Sequence, residues 1–225
     1  MKIKFIEKKH EASNAWTFWF EPPEAVNWQA GQYQRWELPI NEAEKNDREH
    51  WFTISSAPFE AKFAITTRLS GSKFKSALDA LKPGDLIDVD TREGDFTWQD
   101  TDQAKVFIAG GIGITPFHSI IKQRHHDGQT IDVHLLYAGR DEDFVFRREL
   151  EEIEKQHPEL SISYLVGQLT LQSIKQDVPD ILTKYVYLSG PEPMVEALGS
   201  ALKDAGLPEE QLKQDWFPGY DQDNF

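Results

Sequence analysis

An apolar segment that runs straight into a glycine-rich turn restricts the fold more than any other feature of the sequence. Residues 105–110, KVFIAG, are followed by Gly111 and Gly113 and then by Pro116. Such a strand is typical of a parallel sheet covered by helices on both faces. The glycines would let a diphosphate approach backbone N–H groups, and proline suits the first position of a helix. The segment therefore predicts an α/β unit with a helix from Pro116.

The same turn favours a nucleotide site over an empty connection, because a strand precedes the glycines and a helix follows them. Pro116 occupies the position of the third glycine in the usual dinucleotide fingerprint. The turn by itself therefore names no cofactor.

The chain after residue 100 continues to alternate between strand and helix patterns. The strand patterns are IDVHLLYAG (131–139), LSISYLV (160–166) and KYVYLSG (184–190), and a last helical pattern ends at Gly206. Alternation of this kind predicts a doubly wound parallel sheet. We predict that residues 100–225 form this domain.

The first ninety-nine residues have a different pattern, in which short aromatic and β-branched runs are separated by turns. One helix is predicted among them, over Phe74–Leu81, with Ser72 as its N-cap. Closely spaced short strands predict a small antiparallel β-barrel. We predict a barrel domain over residues 1–99, and hence a two-domain chain.

Charge and cysteine content exclude several classes of function. The 225 residues include no cysteine, which excludes disulfides, thiolate zinc sites, cysteine nucleophiles and cysteine-ligated iron–sulfur clusters. The net charge of −14 repels phosphate backbones, so we expect no nucleic-acid partner. The apolar runs are too short for a membrane segment, and the histidines show no metal-ligand spacing. We expect a cytoplasmic protein without a metal site.

Several motifs in a fixed order extend over most of the chain. HWFTISSAP (50–58) and TTRLSGSKFKSALDALKPGD (66–85) precede GGIGITPF (110–117), YLSGPEPMVEAL (187–198) and DWFPGY (215–220). From about Gly31 to Tyr220 this set resembles the ferredoxin–NADP⁺ reductase family of flavoproteins. The resemblance implies a flavin-binding barrel followed by a nucleotide-binding sheet, with FAD as cofactor and NADPH or NADH as hydride donor.

The resemblance implies that the flavin ring lies against residues 50–53. Phe52 falls where the family has an aromatic against the ring, and Thr53 falls where it has a catalytic hydroxyl near flavin N5. His50 replaces a phosphate-binding arginine, and an imidazole cannot form the same bidentate pair, so Arg48 or Arg68 is a candidate substitute. The residues implied for FAD are His50, Trp51, Phe52, Thr53, Thr66, Thr67, Ser72, Lys73, Phe74, Lys75, Phe217 and Tyr220.

Other interpretations of these flavin residues stay open. Trp51 and Phe52 would also suit a hydrophobic core, and residues 72–75 would also suit an ordinary capped helix. A diphosphate at that helix N-terminus favours FAD over FMN. In the tail, Asp215 joins Phe217 and Tyr220 as a residue that could approach the open face of the flavin.

The nucleotide side follows from the same resemblance. Ser189 replaces a family cysteine near the nicotinamide and is the second catalytic candidate. Arg140 would suit the 2′-phosphate of NADPH, whereas Asp141 or Asp143 would suit the free hydroxyl of NADH, so the donor stays open. The residues implied for NAD(P)H are Gly111, Gly113, Ile114, Thr115, Pro116, Arg140, Ser189, Gly190, Pro191 and Met194.

The expected function is an oxidoreductase that transfers hydride from NAD(P)H to bound FAD and passes electrons to an unidentified acceptor, which could be a carrier protein. An acidic carrier is disfavoured by the charge of −14, unless Arg35, Lys62, Arg68, Lys73 and Lys75 cluster around the flavin edge. The alternatives are a reductase of free flavin and a non-catalytic electron-transfer subunit that binds flavin or nucleotide.

Overall fold

The computed structural model describes residues 1–40 and 45–217. Its first part is a six-stranded antiparallel sheet with strand order β4-β3-β6-β1-β2-β5. The two edges of the sheet approach each other where the N–H of Ser55, two residues beyond β4, donates to the oxygen of Ala64 in β5 at 2.9 Å, so the sheet curves into a partly open barrel. The predicted antiparallel barrel is confirmed. Its strands are β1 (Lys2–Ala12), β2 (Ala15–Glu21), β3 (Tyr33–Glu37), β4 (Glu49–Thr53), β5 (Phe63–Arg68) and β6 (Leu86–Glu93).

Aromatic side chains fill the barrel. Trp36 packs against Phe20 with ring centroids 5.3 Å apart, and Trp28 packs against Phe63 at 4.9 Å. Two short helices, α1 (Lys45–Arg48) and α2 (Lys73–Asp79), lie beside it. Ser72 caps α2 as predicted, since its hydroxyl accepts from the N–H of Lys75 at 3.3 Å. The helix ends two residues before the predicted Leu81.

The second part is a five-stranded parallel sheet with strand order β11-β10-β7-β8-β9. Its helices cover both faces: α3 and α4 pack on one side, and α5 and α6 on the other. The doubly wound parallel sheet is therefore confirmed. Its elements are β7 (Lys105–Gly110), α3 (Ile114–His126), β8 (Val133–Gly139), α4 (Arg147–Glu154), β9 (Leu160–Val166), α5 (Leu171–Asp177), β10 (Tyr185–Pro191), α6 (Glu192–Asp204) and β11 (Leu212–Phe217).

The start of α3 corrects one expectation. A 3₁₀ turn over Gly111–Gly113 leads into a helix that begins at Ile114, so Pro116 is the third helical residue and not the first. Proline is tolerated there because the N–H groups of the first turn have no partner within the helix. Every residue of β7 is buried, as its apolar sequence predicts.

The described helices include none that combines the length and the apolarity needed to cross a lipid bilayer. The division of the chain into domains 1–99 and 100–225 stays a prediction.

Candidate functional site

A pocket of about 360 Å³ opens between the barrel and the outer strand of the parallel sheet. This volume lies within the range of about 300–1,000 Å³ that is usual for small-molecule sites. The barrel contributes residues from β3, β4, the end of β6 and the loop after it, and the sheet contributes residues from β11. The lining consists of Tyr33, Trp51, Phe52, Thr53, Glu93, Gly94, Asp95, Phe96, Gln214, Asp215 and Trp216.

Strand pairing builds the aromatic wall on the barrel side. Tyr33 lies opposite Thr53 in the β3–β4 register, and the ring of Trp51 packs edge-on against Tyr33 with centroids 5.5 Å apart. Gly94, at φ +95°, makes room, because an added Cβ would lie 2.8 Å from the Tyr33 ring. Trp51 is 46% exposed, and Trp216 on the sheet side is 49% exposed. The pocket therefore offers aromatic surface suited to a planar ring.

Two buried hydroxyl groups, one in the pocket and one at the end of β10, lack a hydrogen-bond partner among the described residues. Thr53 lines the pocket with 3% of its surface exposed, and Ser189 is completely buried at the end of β10. Within residues 1–40 and 45–217, neither Oγ1 of Thr53 nor Oγ of Ser189 makes a hydrogen bond. Burial of an unsatisfied polar group costs about 1–3 kcal/mol. A ligand with hydrogen-bonding atoms would satisfy Thr53, so the pocket fits the implied flavin ring.

An acidic group with an altered pKa completes the pocket. Burial, together with the nearby charge of Asp95, raises the pKa of Asp215 to about 7. Lys213 donates to the backbone oxygen of Asp95 at 2.6 Å and to its carboxylate at 3.0 Å. This bond lowers the pKa of Asp95 and keeps its charge beside Asp215. Asp215 can therefore hold or release a proton near neutral pH.

The predicted flavin residues are not all in the pocket. Phe52 reaches it but also stacks on Phe74 at 5.6 Å, and His50 packs edge-on against Phe74 at 4.6 Å. Burial and the charge of Lys75 lower the pKa of His50, so this imidazole is neutral at neutral pH. Trp51 presents the more exposed ring to the pocket.

The remaining flavin candidates have structural partners. Thr66 bonds to Thr17 and to Ser55, each at 2.8 Å, and Lys73 pairs with Asp47 at 2.7 Å. The hydroxyl of Thr67 donates to the backbone oxygen of Arg68, and Ser72 caps α2. Phe217 ends β11, and Tyr220 lies outside the described residues.

Two arginines were considered as substitutes for the phosphate-binding arginine that His50 replaces. Neither of them lines the pocket. Arg68 donates to Asn14 at 3.1 Å. The Nε of Arg48 is buried and has no hydrogen-bond partner among the described residues. Lys75 is the cation whose charge acts on His50.

Apart from Arg140, the predicted nucleotide residues lie around the carboxyl ends of β7 and β10, and none of them lines the pocket described above. Between these strands the chain order reverses, which is where doubly wound sheets bind ligands. A Cβ added to Gly113 would lie 2.2 Å from the backbone oxygen of Ser189, and one added to Gly190 would lie 2.7 Å from the Cε of Met194. The two strand ends therefore pack against each other through glycine.

The other residues of this turn face inward. Thr115 donates its hydroxyl to the oxygen of Ile112 at 3.0 Å, and Ile114 and Pro116 are buried. Gly111 has a φ of +53°, which favours glycine. Pro191 ends β10 beside Ser189.

Arg140 is exposed and directly follows β8. The two nearby carboxylates, of Asp141 and Asp143, both accept hydrogen bonds from the backbone. Asp141 accepts from the N–H of Asp143 at 3.0 Å, and Asp143 in turn accepts from the N–H of Ser13 in the barrel. Both carboxylates thus hold the loop in place.

Comparison with known proteins agrees with this geometry. Residues 107–199 match the family model described as the oxidoreductase NAD-binding domain. The reductase component of propane 2-monooxygenase from Rhodococcus jostii is 31% identical over 214 residues, which cover 87% of this chain and 57% of that protein. A flavohemoprotein from Pseudomonas putida is 26% identical over 234 residues, covering 96% of this chain and 58% of that protein. The chain thus spans little more than half the length of these relatives.

Solved structures share the fold at low identity. The Amycolatopsis cytochrome P450 reductase GcoB has a TM-score of 0.82 at 20% identity, over 96% of this chain and 70% of that one. The flavohem-like FAD/NAD-binding domain of nitric oxide dioxygenase from Vibrio cholerae has a TM-score of 0.82 at 19% identity, over 96% and 98%. The two-part architecture therefore also occurs in these two proteins.

Sequence reasoning missed several pocket residues. Tyr33, Gly94, Asp95 and Trp216 line the pocket, and none of them was identified as a site residue. The sequence signal for Gly94 and Asp95 is a Gly-Asp-Phe turn directly after a strand. Trp216 depends on β11, which pairs with β10 in parallel over a long sequence separation.

Proposed function

Because this chain belongs to the ferredoxin–NADP⁺ reductase-like family of flavoproteins, we propose that it oxidises NADPH or NADH through a bound FAD. The observation that carries the proposal is the unpartnered hydroxyl of Thr53 in an aromatic pocket between the two sheets. When bound, the flavin supplies the redox chemistry, accepting two electrons as hydride and releasing them to an acceptor.

The chain's own residues supply position and hydrogen bonds. Thr53 would bond the edge of the flavin ring, with Trp51 and Tyr33 as aromatic walls on the barrel side. Ser189, Gly190 and the turn 111–113 would hold the nicotinamide end of the nucleotide at the switch point. Hydride transfer between the barrel and the parallel sheet needs the two rings in contact and water excluded. The packing between these two parts, called the seam below, would therefore set the rate of hydride transfer.

Access to the pocket depends on the last strand. Trp216 lies half-exposed on the side opposite Trp51 and would have to turn away before a second ring enters between the sheets. Asp215 beside it can hold a proton near neutral pH and would serve as a local proton store. Roles for Phe217 and Tyr220 stay predictions.

An electron-carrier protein is the proposed acceptor. Among the cations that could attract an acidic carrier, Arg35 is paired with Glu49 at 2.6 Å and also with Asp90, and Lys73 is paired with Asp47. These pairs reduce the positive field near the pocket, so a neutral or basic carrier is favoured over an acidic one. A cytoplasmic location and the two-domain division are also part of the proposal.

A reductase of free flavin is the second candidate, and one observation favours it. His50 is neutral at neutral pH and packs against Phe74, so the position of the family's arginine supplies no fixed charge for a phosphate. A flavin held without that charge would dissociate more readily. Lys75 nearby works in the opposite direction.

Flavin titration tests the proposal and separates the two candidates. We expect the purified protein to quench the fluorescence of FAD, and Trp51→Ala to weaken binding by about tenfold through lost stacking. FAD that stays with the protein through gel filtration supports a bound cofactor, and FAD that is lost supports the free-flavin reductase. Absence of any binding to FAD or FMN would overturn both.

A further inference from the structure

His118 joins the two halves of the molecule from within α3. Its side chain is only 3% exposed. Nδ1 lies 2.8 Å from the backbone oxygen of Ser55, just beyond β4, and Nε2 lies 2.9 Å from a carboxylate oxygen of Glu149 in α4. Three separate elements therefore meet at one imidazole ring.

The chemistry of these two partners fixes the protonation of the ring. A backbone carbonyl only accepts hydrogen bonds. The carboxylate of Glu149 also pairs with the ammonium group of Lys122 at 3.0 Å, and an ionised carboxylate only accepts hydrogen bonds. A neutral imidazole has a single N–H, whereas an imidazolium has two. Only the imidazolium donates to both oxygens at once.

Aromatic and charged groups surround the imidazole. The ring of Phe146 lies parallel to the imidazole with centroids 3.6 Å apart and an interplanar angle of 9°. Phe146 has a φ of +62°, a strained conformation for an aromatic residue, and this conformation holds its ring on His118. The charged groups around the imidazole are Glu149, Lys122 at 3.0 Å from Glu149, and Glu60 at 2.8 Å from Lys122.

This contact lies between the segment that carries Thr53 and the helix that follows the nucleotide turn. Ser55 follows Thr53 by two residues, and the hydroxyl of Ser119 donates to the oxygen of Ser56 at 2.7 Å. The helix that carries His118 and Ser119 starts directly after the turn Gly111–Gly113. A shift of α3 against residues 53–56 would therefore change the distance between the flavin side and the nucleotide side.

We propose that His118 is held as an imidazolium and is a positioning residue, which sets the Thr53 segment against the nucleotide helix for hydride transfer. The kinetic part of this inference rests on the proposed function, whereas the protonation state does not. A ring with only one N–H would keep only one of the two bonds. The seam then loosens, and hydride transfer slows.

Two variants and one control separate positioning from a general loss of structure. His118→Gln removes the imidazolium, and Glu149→Gln keeps the shape but removes the charge that retains the second proton. His134→Gln is the matched control, since His134 is also partly buried but bonds to Ser163 within the parallel sheet, away from the seam. We expect about a tenfold slower flavin reduction in His118→Gln, in keeping with the cost of small misalignments.

The protonation state is read by ¹⁵N NMR of histidine-labelled protein over pH, with His118→Gln assigning the signal. We expect both ring nitrogens of His118 to be protonated in the wild type at pH 7, and only one of them in Glu149→Gln at the same pH. A neutral His118 ring at pH 7, or a His118→Gln protein with the wild-type rate and pH profile, would overturn the inference. Wild-type protein that no nucleotide reduces would instead contradict the proposed function, and the NMR signal would still decide the state of His118.

Discussion

The ammonium group of Lys213 donates to both the backbone oxygen and the carboxylate of Asp95, at 2.6 and 3.0 Å. This pair ties the last strand of the parallel sheet to the loop that follows the barrel. Because both residues adjoin the pocket, the clasp holds its two walls together.

Lys213→Met tests this clasp. The Asp95 carboxylate is exposed, so we expect a loss of only about 1 kcal/mol in the free energy of unfolding, together with weaker flavin binding because the walls separate. Urea unfolding and FAD titration measure the two effects. Lys203→Met, which removes an exposed pair with Glu209 whose two residues do not line the pocket, is the control. Equal flavin affinity in the two variants would contradict the role of the clasp.

Asp215→Asn tests the raised pKa in the pocket. The folded protein holds the Asp215 proton up to about pH 7, against 3.8 for an ordinary aspartate, so it binds this proton more tightly than the unfolded chain does. This contribution to stability is complete at low pH and is lost as pH rises from about 3.8 to about 7. The Asn variant should lack this decline, measured by urea unfolding at pH 5 and pH 8. A decline as steep as in the wild type would count against the assignment, and Asp204→Asn, at an exposed position of α6, serves as the control.

Thr53→Val tests the unpartnered hydroxyl. Removing a buried group that bonds nothing should stabilise the flavin-free protein by about 1 kcal/mol. Flavin reduction should nevertheless slow by about tenfold, because a hydrogen bond to the ring is lost. Thr17→Val is the matched control, since its hydroxyl bonds to Thr66 at 2.8 Å and its loss should destabilise the barrel. A Thr53→Val protein that is less stable and equally fast would refute the assignment.

Gly113→Ala tests how the nucleotide turn packs. The new Cβ would meet the backbone oxygen of Ser189 at 2.2 Å, so we expect a destabilisation of at least about 2 kcal/mol before any ligand is added. Thermal unfolding measures this. Gly71→Ala, at a position with nothing within 4 Å, should change stability little. Wild-type stability in Gly113→Ala would mean that the two strand ends do not pack as described.

Most of the architecture could be predicted from local patterns. The apolar run of β7 and its glycines reveal a buried parallel strand because burial on both faces leaves few polar positions. The Ser72 cap is equally local. The first strand, Lys2–Ala12, was not identified, because the exposed, charged residues Glu7–Lys9 interrupt its pattern.

The site was harder to predict because it forms between distant segments. Tyr33, Asp95 and Trp216 meet only when β11 pairs beside β10 and the loop after β6 folds over it. The pKa of Asp215 depends on that burial and on Asp95, which no local pattern reveals. The motif at residues 50–53 identified Phe52. Its packing on Phe74 could not be predicted, because it depends on how α2 packs against the barrel.

Anaerobic reduction of the flavin-loaded protein tests the central claim most directly. The protein is titrated with NADH and, separately, with NADPH under argon while flavin absorbance is followed. The proposed function predicts that at least one of them bleaches the flavin with one equivalent per flavin, because each nucleotide delivers one hydride. Flavin that is bound but bleached by neither nucleotide would contradict it.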